Sequence, residues 1–167
     1  MHPQHHTLFI DYCAYFNGNE DFFECHEVLE EYWKIIAPGD KNHPLVGLVQ
    51  LATGLYHWRR GNQTGATRIL QKAEKNIKVN KSSVFFELLD YEALLLQTNL
   101  AIKRTQEGEV FQAFKLSITH ELQQLVTARI NTLPINNSEY LLHKHMLRDR
   151  SHILAERLES KQRKSRR

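Results

Sequence analysis

Residues 21–34 read DFFECHEVLEEYWK. Carboxylates and a histidine stand among aromatic residues, and neither glycine nor proline interrupts them. At 100° per residue, Phe22, Cys25, Leu29, Tyr32, Trp33 and Ile36 gather on one broad face. Glu24 and Glu31 fall nearly opposite, toward water. His26 and Glu30, four residues apart, meet at the boundary of the apolar face, with Glu27 beside them and further out. Asp21 with Glu24 three residues later forms a D-x-x-E capping arrangement, and Ala37-Pro38-Gly39-Asp40 breaks the run. The stretch is therefore expected to be an amphipathic helix from Asp21 to about Ile36. That periodicity points to an all-α fold.

The same pattern continues along the chain, and no segment alternates with a two-residue period. A short helix is expected over Leu8–Phe16, stopped by Asn17 and Gly18. A third helix begins at His43-Pro44, with proline in its first turn, and ends at Arg60-Gly61-Asn62. A fourth covers about Thr64–Lys78. A long fifth is capped by Ser82 or Ser83 and runs to Gln106, where Gly108 ends it. A sixth covers about Val110–Ile130. Asn136 with Glu139 opens a last helix that frays into KQRKSRR. Short connections favour antiparallel neighbours, which gives a single-domain bundle of about seven helices built from helical hairpins. The helical domain is expected over residues 1–147, with a basic helix end and tail over 148–167.

Composition fits that reading. The 167 residues are 41% hydrophobic and 25% charged, enough for one core. Charges interrupt every apolar run well short of the roughly 18 residues of a membrane span, so no membrane segment is expected. Two cysteines, Cys13 and Cys25, make no disulfide framework and read as reduced core residues, and a cytoplasmic location is expected. The net charge is +3, and the positive excess lies in residues 148–167. No interleaved basic and aromatic pattern marks a nucleic-acid surface, so nucleic-acid binding is not expected beyond incidental phosphate contact by the tail. His2, His5 and His6 read as a floppy terminal cluster. A homodimer through an exposed helix face is compatible with a chain this small.

Gly47, Gln50, Gly54 and His57 fall together on one side of the third helix. Two glycines on a helix cost roughly 1 kcal/mol each relative to alanine, so close approach by a neighbouring helix is expected. If that neighbour is the second helix, Gln50 and His57 point at His26, Glu27 and Glu30. Two chemistries fit. In one, His26, Glu30 and His57 hold a divalent metal such as zinc, manganese or iron; Glu27 acts as general base on a bound water and Gln50 orients it. Glutamate at position 30, where His-Glu-x-x-His enzymes have histidine, weakens that match. In the other, the same groups form a buried polar clamp in a non-catalytic helical interaction module. Arg59 and Arg60 are further candidates for ligand contact, and the substrate or protein partner is unspecified.

These segments resemble a known family. FNGNEDFFECHEVLEEYWK followed by LVGLVQLATGLYHWRRGNQTGATRIL is similar to the small helical prokaryotic family called domain of unknown function 309. Its FFE-x-HE-x-LE-x-x-W helix is matched by Phe22, Phe23, Glu24, His26, Glu27, Leu29, Glu30 and Trp33. Its second helix and R-G-N-x-x-G-A turn are matched by Gly47, Leu48, Gln50, Ala52, Tyr56, His57, Gly61, Asn62, Gly65 and Ala66. The likeness covers about residues 16–75, and the remainder resembles a longer version found in Firmicute-type bacteria. It implies an all-helical bundle and a metal-dependent hydrolase label that rests on the same histidine and glutamates. No substrate comes with it.

Overall fold

The computed structural model describes residues 1–134 and residue 162. Six α-helices form the described part: α1 (Thr7–Ala14), α2 (Phe22–Ile36), α3 (Pro44–Arg59), α4 (Gln63–Val79), α5 (Tyr91–Gln106) and α6 (His120–Ile130). The helix expected from Asn136 onward lies outside the described residues, as does nearly all of 148–167.

Local chemistry sets the helix ends. The Glu24 amide donates to Asp21 Oδ1 at 3.1 Å, as the D-x-x-E spacing predicts. Pro44 opens α3, and the His43 imidazole caps it, its Nδ1 accepting from the Leu45 amide at 3.1 Å. Gly61, at φ +84°, turns the chain in the left-handed region. Asn62 then caps α4, its Oδ1 accepting from the Gly65 amide at 3.0 Å.

Helix α3 packs most extensively against α4, α2 lies on α3, α5 lies on α4, and α1 closes over α2 and α6. The core between them holds Phe9, Tyr12, Phe16, Phe22, Leu29, Leu48, Leu51, Leu55, Trp58 and Leu70, all buried. Cys13 and Cys25 are buried and unpaired with each other, as expected of reduced core residues. No helix among the described residues is long and apolar enough to cross a membrane.

Four expectations need correction. The first helix stops at Ala14, and Tyr15–Asn19 continue as a wider π-type turn. Ser83 caps only the short 3-10 turn Val84–Phe86, while Asp90 caps α5. Residues 109–119 form no helix, so α6 begins at His120 rather than near Val110. Asn17 explains that segment: its side chain donates to the Leu116 carbonyl at 3.0 Å and accepts from the Leu116 amide at 2.8 Å. A backbone satisfied from outside has no need of helix bonds. Finally, the histidines near the start are ordered. His6 caps α1 through Nδ1 and stacks on Tyr32 at 4.1 Å, while His2 and His5 pair with Glu87 and Glu121.

Candidate functional site

The face assignment of α2 holds where it matters. Phe22, Cys25, Leu29 and Tyr32 are buried and Glu31 is exposed, whereas Glu24, expected toward water, is half-buried. The last turn departs from it: Ile36 is exposed, and Trp33 is half-buried with its indole N–H donating to the Asp40 carbonyl at 2.9 Å. His26 stands at the boundary. Its Nε2 lies 3.0 Å from Glu30 Oε2 and its Nδ1 3.4 Å from Glu27 Oε1. Lys34 Nζ in turn lies 2.8 Å from Glu30 Oε1. Polar contacts thus link residues four apart along the helix, from His26 through Glu30 to Lys34.

The glycines of α3 do mark a close approach, but by α4 rather than α2. A Cβ at Gly47 would strike the Asn76 side chain, and one at Gly54 would lie 2.6 Å from Leu70 Cγ and Cδ2. Gln50 and His57 sit on the flank of that stripe. His57 nevertheless meets α2 from there. A cavity of about 200 Å³ lies between the helices, lined by Phe22, Phe23 and His26 from one side and Thr53, Tyr56, His57 and Arg60 from the other.

The cavity is mostly aromatic. The Phe23 and Tyr56 rings lie 5.7 Å apart, and the Arg60 guanidinium sits 5.4 Å over Tyr56. His57 Nδ1 is buried with no hydrogen-bond partner. Burial, then the positive charges of Arg60 and His26, lower the His57 pKa from 6.5, so this ring is neutral near pH 7. Gln50 Oε1 is also buried without a partner, but Gln50 does not line the cavity. Arg59 points elsewhere: it donates to the Glu20 carbonyl at 2.7 Å and stacks over Phe22, holding Glu20 in its left-handed conformation.

The structure therefore brings His26 and His57 to one cavity, with Glu27 and Glu30 in contact with His26. Among the described residues no three His, Cys, Asp or Glu side chains are arranged to hold a metal ion. His26, Glu30 and His57 do not fit one in this arrangement, because Glu30 faces Lys34 and His26 rather than His57. Of the two arginines expected as candidates for ligand contact, Arg60 forms a wall of the cavity and Arg59 does not line it. Phe23 falls outside the apolar face that the spacing of α2 predicts, yet with Tyr56 it forms an aromatic wall of the cavity.

Residues 9–69 match the family model described as Domain of unknown function (DUF309). Over 165 residues the chain is 31% identical to "Uncharacterized protein YpuF" of Bacillus subtilis (strain 168), covering 94% of this chain and 93% of that one. No solved structure matches.

Proposed function

We propose, for a chain that belongs to the DUF309 family, that the α2–α3 cavity binds a small planar organic acid. The observation that carries this reading is the buried, unpartnered Nδ1 of His57, a residue that lines an aromatic cavity beside a guanidinium. A buried polar atom without a partner costs about 1–3 kcal/mol, which a ligand group would relieve. Phe22, Phe23 and Tyr56 suit a flat apolar body. The Arg60 guanidinium stands over Tyr56 at the cavity wall, where its positive charge favours a carboxylate. Drug-sized ligands occupy roughly 300–1,000 Å³, so a cavity of about 200 Å³ suits something smaller, of the size of benzoate.

Saturation-transfer NMR with benzoate and related aromatic carboxylates tests this. Binding is expected in the wild type and should weaken roughly ten- to a hundredfold in Arg60→Gln, the loss of one charge-assisted bond. His57→Phe should also weaken it. No binding, or binding indifferent to Arg60→Gln and Phe23→Ala, overturns the reading.

A second reading keeps a metal on His26, Glu30 and His57, with Glu27 and Gln50 in support, as in a metal-dependent hydrolase. The same unpartnered His57 nitrogen favours it. It requires Glu30 to leave Lys34 and turn toward His57. Elemental analysis of protein purified without chelator separates the two: near one zinc, manganese or iron per chain, lost in both His26→Ala and Glu30→Ala with the fold intact, supports the metal.

A further inference from the structure

Three histidines hold the same position in their turns. His2, His6 and His43 each stand just before a helical turn, at φ −63° to −61° and ψ 135° to 141°. In each, the ring Nδ1 accepts from the amide two residues on, that of Gln4, Leu8 and Leu45 respectively, all at 3.1 Å. A backbone N–H can only donate, so each Nδ1 presents a lone pair and each ring is neutral, with its proton on Nε2. Serine, threonine, asparagine and aspartate, the usual caps, keep an acceptor oxygen in the range where imidazole takes up a proton. A histidine cap works only while its ring is neutral.

Two of the three meet on one aromatic patch. His6 stacks on Tyr32 with centroids 4.1 Å apart, Tyr32 sets its ring against Phe85 at 6.1 Å, and Phe85 meets His43 edge-on at 4.8 Å. One cluster therefore holds the starts of α1 and α3 against α2 and the Val84–Phe86 turn. Tyr32, which faces His6, donates its hydroxyl to the Pro3 carbonyl at 2.8 Å, and burial raises its pKa from 10.0, so it stays neutral. Asp40 faces His43 and favours its protonated form, but burial outweighs it and lowers the His43 pKa from 6.5. That cap is thus complete above pH 6.5 and lost as pH falls below it. His2 differs: its Nε2 lies 3.2 Å from Glu87, so protonation exchanges a cap for an ion pair. His5 caps nothing, and its Nε2 lies 2.9 Å from Glu121. Both glutamates are exposed, and such pairs contribute little.

We propose that His6 and His43 form an acid-sensitive pair of caps, which loosen the starts of α1 and α3 over one pH range while the α3–α4 hairpin stays closed. A protonated ring has no lone pair left for the Leu8 or Leu45 amide, so the bond is lost. It also sets a positive charge at a helix N-terminus, where the backbone dipole already presents positive charge. Asn62, at the start of α4, makes the same kind of cap on the Gly65 amide at 3.0 Å and has no proton to gain. The fold thus carries its own control.

Residue-resolved hydrogen exchange of the full chain at about pH 7.5 and about pH 5 tests this, with protection referred to the unfolded-chain rate at each pH. Protection of the Leu8 and Leu45 amides should fall at least about fivefold in acid, the equivalent of one cap lost, while Gly65 changes less than about twofold. His6→Asn/His43→Asn keeps an accepting oxygen at both caps and removes the titration. Leu8 and Leu45 should then show the same protection at both pH values, whatever its absolute level. Should the double variant misfold, each single variant gives the same reading at its own amide. Unchanged protection in the wild type overturns the proposal, as does an equal fall in the asparagine variants. An equal fall at Gly65 overturns it too, since the whole bundle is then opening.

Discussion

Gly54→Ala isolates the close approach between α3 and α4. In an unhindered helix the substitution stabilises by about 0.8–1 kcal/mol, because alanine loses less backbone freedom than glycine. Here the new Cβ would lie 2.6 Å from Leu70 Cγ and Cδ2, with the Ala66 carbonyl at 3.5 Å. Leu70 is fully buried, so it has no free volume to retreat into. Overpacking a core costs about 1–3 kcal/mol, and the net expectation is a destabilisation of about 1–2 kcal/mol. For a domain of this size that lowers Tm by roughly 2–8 °C. Urea titration followed by circular dichroism at 222 nm measures it. The double variant with Leu70→Ala gives the cycle: Leu70→Ala alone costs about 2–5 kcal/mol, and in that background Gly54→Ala should become neutral or stabilising. A wild-type background stabilised by Gly54→Ala would refute the packing. So would additive effects in the double variant.

Other consequences are simpler to check. Asn62→Ala removes the oxygen that accepts from the Gly65 amide and should cost about 1 kcal/mol in the same urea assay. The lowered pKa values of His57 and His43 mean that the folded state takes up protons less readily than the unfolded chain; stability should be full above pH 6.5 and decline as pH falls below it, and His57→Asn should flatten part of that decline in thermal melts from pH 5 to 8. If an organic anion occupies the α2–α3 cavity, it favours protonated His57, so its affinity by calorimetry should rise as pH drops through the same range. Burial pushes the thiol pKa values of both cysteines up, and neither Cys13 nor Cys25 should react with Ellman's reagent at pH 8 until denaturant is added.

The helical pattern of α2, α3 and α4 was legible because each carries its own boundaries. Asp21, Pro44, Gly61 and Asn62 act within three or four residues, and local chemistry is what a sequence displays. Residues 109–119 were not legible for the opposite reason. Their path depends on Asn17, about a hundred positions away, and on the bridge between Leu89 and Ile118. At the candidate site the spacing of His26 and Glu30 predicted their contact, since helical geometry enforces it. Which helix faced the glycines was not predictable: a small-residue stripe says that something comes close without saying what. His57 reached the α2 cavity from the flank of that stripe, at an angle that only the packed pair of helices defines.

The clasp of Asn17 on Leu116 also bears on how the chain assembles. Lys115 Nζ reaches the Asn17 carbonyl at 2.6 Å, and Arg129 Nε reaches Asp11 Oδ1 at 2.6 Å. These bonds join the first helix to segments synthesised roughly a hundred residues later, whereas α3 and α4 meet across a turn. Closing so long a loop carries an entropic cost that the local hairpin does not. The α2–α4 unit, with its cavity, is therefore expected to form first, and α1 to lock late, once residues 115–129 have left the ribosome. Until then Tyr12 and Phe16 can already meet Leu48 of α3 and Phe22 of α2, but Phe16 lacks Phe114. In this fold the N-terminal end is made first and completed last.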